Sequence, residues 1–290
     1  MLNAHNNQSI SDLYESVRKA IKSDSIAILN EKLNQIDKIE LLFLQNYNKR
    51  KNEGVFFTQK YIADYIISQT LTEFLNSRIK KINLTSLEEI KSLTQNDYKS
   101  ILNLINTTLI CDPSCGSGVF LLSYIDIVFN LLQEICPGDE IETLERGIIK
   151  NIYGYDINED SIKLCILKLL RRLSNLKSVN LLNMLSILES HIIVKDVIID
   201  PPTLKFGLLV GNPPYGNILD NSLKQKLRTE NVFVNDIYCI FILKALEWND
   251  GMIGFLIPKS FLLRQGYVRF RNQLLLKANL LKIIDIGPNL

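Results

Sequence analysis

The sequence predicts an α/β fold, a doubly wound and mainly parallel sheet preceded by an N-terminal helical region. Three observations carry this. From Thr107 onward, apolar strand-like runs alternate with helical patterns, the signature of βα units. A glycine-rich turn, Cys111-Asp112-Pro113-Ser114-Cys115-Gly116-Ser117-Gly118, follows one of those runs and opens a helix. A later apolar run, Leu208-Leu209-Val210-Gly211, ends abruptly in Asn212-Pro213-Pro214-Tyr215.

Residues 1–53 form the first region. Ile21, Ile26, Leu29 and Leu33 recur at helical spacing, as do Ile36, Ile39 and Phe43, and no Pro or Gly occurs before Gly54. This predicts a helical arm or small bundle. Residues 54–290 form the second region. Gly54-Val55-Phe56-Phe57-Thr58 leads into a helix carrying Ile62, Tyr65, Ile66 and Leu71, with Thr58 suited to its N-cap. A further helical stretch covers about Leu87 to Ile105. The strands are expected at Thr108–Cys111, Ile152–Tyr155, Ile192–Val194, Leu208–Val210, Ile253–Ile257 and Ile283–Ile286. Helices between them are expected at about Val119–Gln133, Asp160–Leu173 and Asp236–Trp248.

Composition bounds the function. Hydrophobic residues make up 47% and charged residues 22% of the 290, a globular balance. Lys and Arg number 33 against 31 Asp and Glu, so bulk charge does not announce a polyanion; basic groups for nucleic acid must be local or come from a partner. Lys224, Lys226 and Arg228 are such local candidates for phosphate contact. The five cysteines have no CxxC spacing and the two histidines, His5 and His191, lie far from them, so no metal site is expected. The odd cysteine count and the lack of a signal peptide fit a cytoplasmic, reducing setting. No apolar run reaches the roughly 18 residues of a membrane span.

The glycine turn is neither a P-loop nor a dinucleotide fingerprint. It lacks GxxxxGK[ST], and the third glycine position of GxGxxG holds Leu121. Asp112 at the strand end disfavours phosphate and suits a cationic amino group, as on an amino-acid-bearing nucleotide such as S-adenosylmethionine. Asp156 closes the next strand 38 residues beyond Gly118, placed either for ribose hydroxyls or as an N-cap for the following helix. That spacing implies an insertion, which the segment around Pro137-Gly138-Asp139 and a following helix can supply. Asp196, after the third strand, suits the exocyclic amine of an adenine or is a surface-loop residue.

Asn212-Pro213-Pro214-Tyr215 carries the chemistry. Where strand order reverses, ligands sit at the carboxyl ends of the strands, so Asn212 is expected beside the glycine turn. An exocyclic amine is a poor nucleophile because its lone pair is delocalised. The Asn212 side-chain carbonyl and the Pro213 main-chain carbonyl can accept its two N–H bonds and free that lone pair for in-line attack. The prolines preorganise the acceptors. Tyr215 offers a stacking face for a base turned out of a duplex, worth roughly 1–3 kcal/mol. Cys111 and Cys115 are not needed as nucleophiles.

These residues resemble the amino-methyltransferases of restriction–modification systems, in the order with the cofactor loop first and target recognition last. The resemblance runs from Gly54 to the end of the chain. It implies a Rossmann-like S-adenosylmethionine-dependent methyltransferase that modifies the N6 amine of adenine in double-stranded DNA. It puts Thr58 near the cofactor's carboxylate, although Gln59 stands where the family usually has Pro. It makes Asp112, Pro113, Cys115, Gly116 and Gly118 the cofactor loop, Asp156 the ribose position and Asp196 the adenine position, with Ile157 also among the cofactor-binding residues. Asn212 also borders the cofactor, and Asn212, Pro213, Pro214 and Tyr215 form the catalytic motif. Asp236–Phe241, Gly251–Ser260 and Phe270–Leu275 continue the pattern. The similar enzymes carry further strands and a target-recognition region beyond the point matching Leu290. The expectation is therefore a methyltransferase fragment: a split or truncated gene, or a subunit whose specificity comes from a separate recognition or restriction subunit. Two alternatives stay open: methylation of a protein glutamine, which uses the same tetrapeptide, and a cofactor-binding subunit without activity of its own.

Overall fold

The computed structural model describes residues 9–48, 58–138, 140–176, 180–216, 225 and 236–287. His5, the Gly54–Phe57 segment, Lys224, Lys226 and Arg228 lie outside the described residues.

Three helices come first: α1 (Ile10–Lys22), α2 (Ile26–Leu33) and α3 (Ile36–Asn48). Ser9 and Asp12 form a reciprocal capping box that starts α1. α4 (Lys60–Arg78) follows, then a 3-10 turn at Leu87–Ser92 and α5 (Gln95–Thr107). The expected stretch from Leu87 to Ile105 is thus divided, because Thr94 and Asp97 make a second capping box and begin a new helix.

The βα units are β1 (Ile110–Asp112), α6 (Val119–Ile135), α7 (Ile141–Ile149), β2 (Ile152–Asp156), α8 (Glu159–Leu173), α9 (Leu181–His191) and β3 (Ile192–Val194). After them come β4 (Phe206–Gly211), α10 (Ile237–Trp248), β5 (Asn249–Phe255), the short α11 (Ser260–Leu263) and α12 (Val268–Lys277). α7 is the insertion that the long spacing between the glycine turn and Asp156 requires.

The sheet order is β3-β2-β1-β4-β5, with every pairing parallel. The order reverses between β1 and β4, so a crevice opens at their carboxyl ends. Side chains alternate across the sheet. Ile110, Leu208 and Val210 enter the core shared with α1–α9, while Cys111 and Leu209 enter the core under α10 and α12. The first three helices are joined to the sheet layer. Tyr14 of α1 donates to Glu189 of α9 at 3.0 Å, and Arg171 of α8 pairs with Asp37 of α3 at 2.6 Å.

Two sequence expectations fail here. Ile283–Ile286 forms no strand; these residues are exposed and join no sheet ladder among the described residues. A strand needs a partner for its N–H and C=O groups. This segment is held instead by its charges, Lys282 bonding Gln69 and Glu73 of α4 and Asp285 pairing with Lys259. Thr58 is not the N-cap of α4. That position falls to Gln59, and the Thr58 hydroxyl is used elsewhere. β5 also starts four residues before the expected Ile253, with a register shift opposite Phe206–Leu208.

Candidate active site at the carboxyl ends of β1, β2 and β4

The glycine turn leaves β1 and is fixed from the β2 side. Cys115 N–H donates to Tyr155 C=O at 2.8 Å, and Gly116 N–H donates to Asp156 Oδ2 at 2.9 Å. Gly118 caps α6 in the left-handed region (φ 85°), and a Cβ there would stand 2.5 Å from Cys165 Sγ. Only glycine lets α8 close on the turn at this point.

Asp112 is 1% exposed and its Oδ1 accepts from Ser114 N–H at 3.0 Å. Burial pushes its carboxyl up to about 8, against that single hydrogen bond and helped by the nearby Asp156 charge. Asp156 is also raised by burial, but backbone N–H groups of Asn158, Gly116 and Ile157 oppose the rise. Asp156 does not cap α8. Asn158 does, accepting from Ser161 N–H at 2.8 Å, while Asp156 Oδ1 accepts from Asn158 N–H. Ile157 beside it is 74% exposed, an apolar side chain in the open at the sheet's rim.

β4 delivers the tetrapeptide. Gly211 has φ 148°, and a Cβ on it would stand 2.4 Å from Asp112 Oδ1, so the β4 backbone lies directly against that carboxylate. Asn212 C=O accepts from Ser114 Oγ at 3.3 Å, tying the tetrapeptide to the glycine turn across 98 residues. The Asn212 side chain is held on both ends. Its Nδ2 donates to Thr58 Oγ1 at 3.1 Å, and its Oδ1 accepts from the Tyr215 hydroxyl. Burial pushes the Tyr215 phenol up to about 12. Pro213 is buried and Pro214 half-buried.

Thr58, Asp112, Pro113, Cys115, Gly116, Gly118, Asp156 and the tetrapeptide therefore converge at one end of three adjacent strands. Asp196 follows the end of β3, next to Lys195, whose N–H donates to the Asp156 C=O at 2.8 Å. It lies in the exposed turn after β3, where its Oδ1 accepts from Ile198 and Ile199 N–H at 3.0 and 3.3 Å. Cys111 and Cys115 are buried; burial raises the Cys111 thiol, and contact with Cys165 followed by burial raises that of Cys115. Neither is primed as a nucleophile.

Sequence reasoning missed two supports. Gly211 was legible as the glycine before Asn-Pro-Pro, yet its close approach to Asp112 is tertiary. Asp236, at the start of α10, accepts from Gly216 N–H through Oδ1 at 2.8 Å and from the Tyr267 hydroxyl through Oδ2 at 3.4 Å. It clamps the chain just after Tyr215. Tyr215 in turn meets Tyr238 edge-on, with ring centres 6.5 Å apart. Among the described residues, no group of His, Cys, Asp or Glu could hold a metal ion. No described helix is long and apolar enough to cross a membrane.

Chemically, the crevice sets a desolvated carboxylate short of donors on one strand. On the next strand it sets a proline-fixed tip rich in carbonyl groups. The first suits a cationic ligand, the second an N–H donor.

Residues 150–289 match the family described as Eco57I restriction-modification methylase. The type II methyltransferase M.VspI of Vibrio sp. strain 343 is 28% identical over 186 residues, covering 61% of this chain and 37% of the relative. The adenine-specific methyltransferase PglX of Streptomyces coelicolor is 23% identical over 266 residues, covering 74% of this chain and 20% of PglX. The chain thus spans well under half the length of these relatives. In fold it is similar to a nuclease-deletion mutant of the Type ISP restriction–modification enzyme LlaGI, solved with a DNA substrate mimic. The TM-score is 0.52 at 14% identity, covering 94% of this chain and 28% of LlaGI.

Proposed function

We propose that the chain is the catalytic part of an S-adenosylmethionine-dependent methyltransferase acting on the N6 amine of adenine in double-stranded DNA, within a restriction–modification system. One observation carries the reading: the Asn212 tip of β4 is bonded to both Thr58 and Ser114 of the Asp112 turn, which brings a candidate acceptor for an amine next to the strand end that carries a buried acid. The relatives named for restriction–modification and adenine-specific methylation support adenine over a protein amide.

The residues fit the cofactor on their own chemistry. Asp112 is a buried carboxylate with one N–H partner, and a cationic amino group would stabilise its charged form. The Thr58 hydroxyl would serve the carboxylate end. Asp156 would accept from ribose hydroxyls, Ile157 would cover a ring face, and Asp196 would receive the adenine amine. Bound there, S-adenosylmethionine supplies an electrophilic methyl group on a sulfonium. The chain's own work is positioning and polarisation. Asn212 Oδ1 and the Pro213 carbonyl accept the two N–H bonds of the target amine and localise its lone pair. Tyr215 gives up its bond to Asn212 and stacks on the extruded base, offsetting part of the unstacking cost. The net charge of +2 offers little general attraction to a polyphosphate. A recognition region or subunit supplies the remaining DNA contacts.

Labelled methyl transfer tests the proposal. With S-adenosylmethionine and adenine-containing duplex, and with any recognition partner present, label is expected in N6-methyladenine after digestion to nucleosides. Label in glutamine of a protein instead, or in cytosine, would overturn it.

A further inference from the structure

Ser117 sits between two left-handed glycines, Gly116 at φ 51° and Gly118 at φ 85°. Such a triplet has little stiffness of its own: one bond within the turn, Gly118 N–H to Cys115 C=O at 2.8 Å, closes it, and the rest of its hold comes from neighbouring elements. The sheet holds Cys115 and Gly116, as described. Ser117 faces the other way and is buried against groups from two different helices. Its hydroxyl donates to Glu40 Oε1 of α3 at 3.2 Å. Lys168 of α8 donates to the same Glu40 oxygen at 2.6 Å and lies 3.4 Å from Ser117 Oγ. The ion pair is largely shielded, with side chains 20% exposed for Glu40 and 12% for Lys168, so it is less screened than a surface pair.

We infer that Glu40 is a positioning residue: through Ser117, and braced by Lys168, it fixes the glycine turn, which makes the N-terminal helices part of the scaffold of the cofactor site. This rests on the reading of that turn as the cofactor loop, but the bracing itself can be tested without any cofactor. A second contact between the same two helices serves as control. Asp37 of α3 pairs with Arg171 of α8 at 2.6 Å, yet it is exposed and does not touch the turn.

Amide hydrogen exchange on the full, ligand-free chain reads the bracing. In Glu40→Ala, exchange over residues 115–119 is expected to rise by about tenfold, while Asp37→Ala leaves it unchanged. Ser117→Ala is expected to loosen the same amides, and the Glu40→Ala/Ser117→Ala pair no further than either alone. Glu40→Gln, which keeps an acceptor for the hydroxyl, is expected to recover part of the protection. Calorimetry then reads the consequence: Glu40→Ala weakens S-adenosylmethionine by about tenfold, the loss of one charge-assisted contact. Unchanged exchange in Glu40→Ala overturns the inference. Equal loosening in Asp37→Ala also overturns it, since docking of α3 alone would then be the cause. Loosened amides in a chain that never binds S-adenosylmethionine would sustain the bracing and refute the proposed cofactor.

Discussion

The two halves of the crevice differ in how far each is prepared for its ligand. On the β1–β2 side, the glycine turn is pinned by Tyr155 and Asp156, and Asp112 is buried with one N–H partner. That half is held by hydrogen bonds, and no cation pairs with Asp112 among the described residues. On the β4 side, the acceptor that the chemistry needs, Asn212 Oδ1, already takes a bond from the Tyr215 hydroxyl. That half is satisfied and must rearrange. The difference teaches that the proposed cofactor would enter a site built in advance, while the target base has to displace an internal bond.

Substitutions that separate the halves can break this comparison. The largest effect is expected for Asn212→Ala, which removes the acceptor that polarises the amine. Methyl transfer should fall by about 10³-fold, in the range seen when a preorganised group facing developing charge is deleted. Single-turnover label transfer measures it. Next is Gly211→Ala. Its Cβ would press on Asp112 at a positive φ, and the chain should lose about 2–3 kcal/mol, read from denaturant midpoints.

A third effect concerns pH. Asp112 is about 8 in the folded chain against 3.8 for the free group, so the folded state binds the proton more tightly. Its contribution to stability is fully present below about pH 4 and is lost as pH rises toward about 8. The difference in unfolding midpoint between wild type and Asp112→Asn should therefore drift across that window in favour of the variant. An unchanging difference would mean that burial does not hold the carboxyl protonated. The smallest effect is expected for Tyr215→Phe. It removes the hydroxyl's bond to Asn212 Oδ1 and keeps a stacking face, so transfer should change by less than about fivefold, the scale of one net hydrogen bond. A loss as large as that of Asn212→Ala would show that the hydroxyl itself acts in the reaction.

Much of this site was legible in the sequence because its parts are local. The glycine turn, the acid closing β2 and the proline-stopped β4 each announce themselves within a few residues. Parallel βα alternation places them on neighbouring strands. What was not legible depends on distant contacts. Glu40 reaches Ser117 across 77 residues, and nothing in the helical periodicity of α3 distinguishes it from a solvated charge. α4 starts at Lys60, so its cap position falls to Gln59, while the Thr58 hydroxyl accepts from Asn212, 154 residues away. Ile283–Ile286 has strand-like composition, but a strand needs a backbone ladder and these residues form none among the described residues. Asp196 suits either an adenine amine or its own loop, and one of its oxygens accepts from Ile198 N–H within that turn.

The most direct test of the account is a crossed calorimetric titration of S-adenosylmethionine into wild type, Asp112→Asn and Asn212→Ala. If one half binds the cofactor and the other handles the amine, Asn212→Ala keeps its Kd within about threefold of wild type. Asp112→Asn weakens it by about 100-fold, the loss of a charged hydrogen-bonding partner. Equal losses in the two variants, or wild-type affinity in Asp112→Asn, would contradict it.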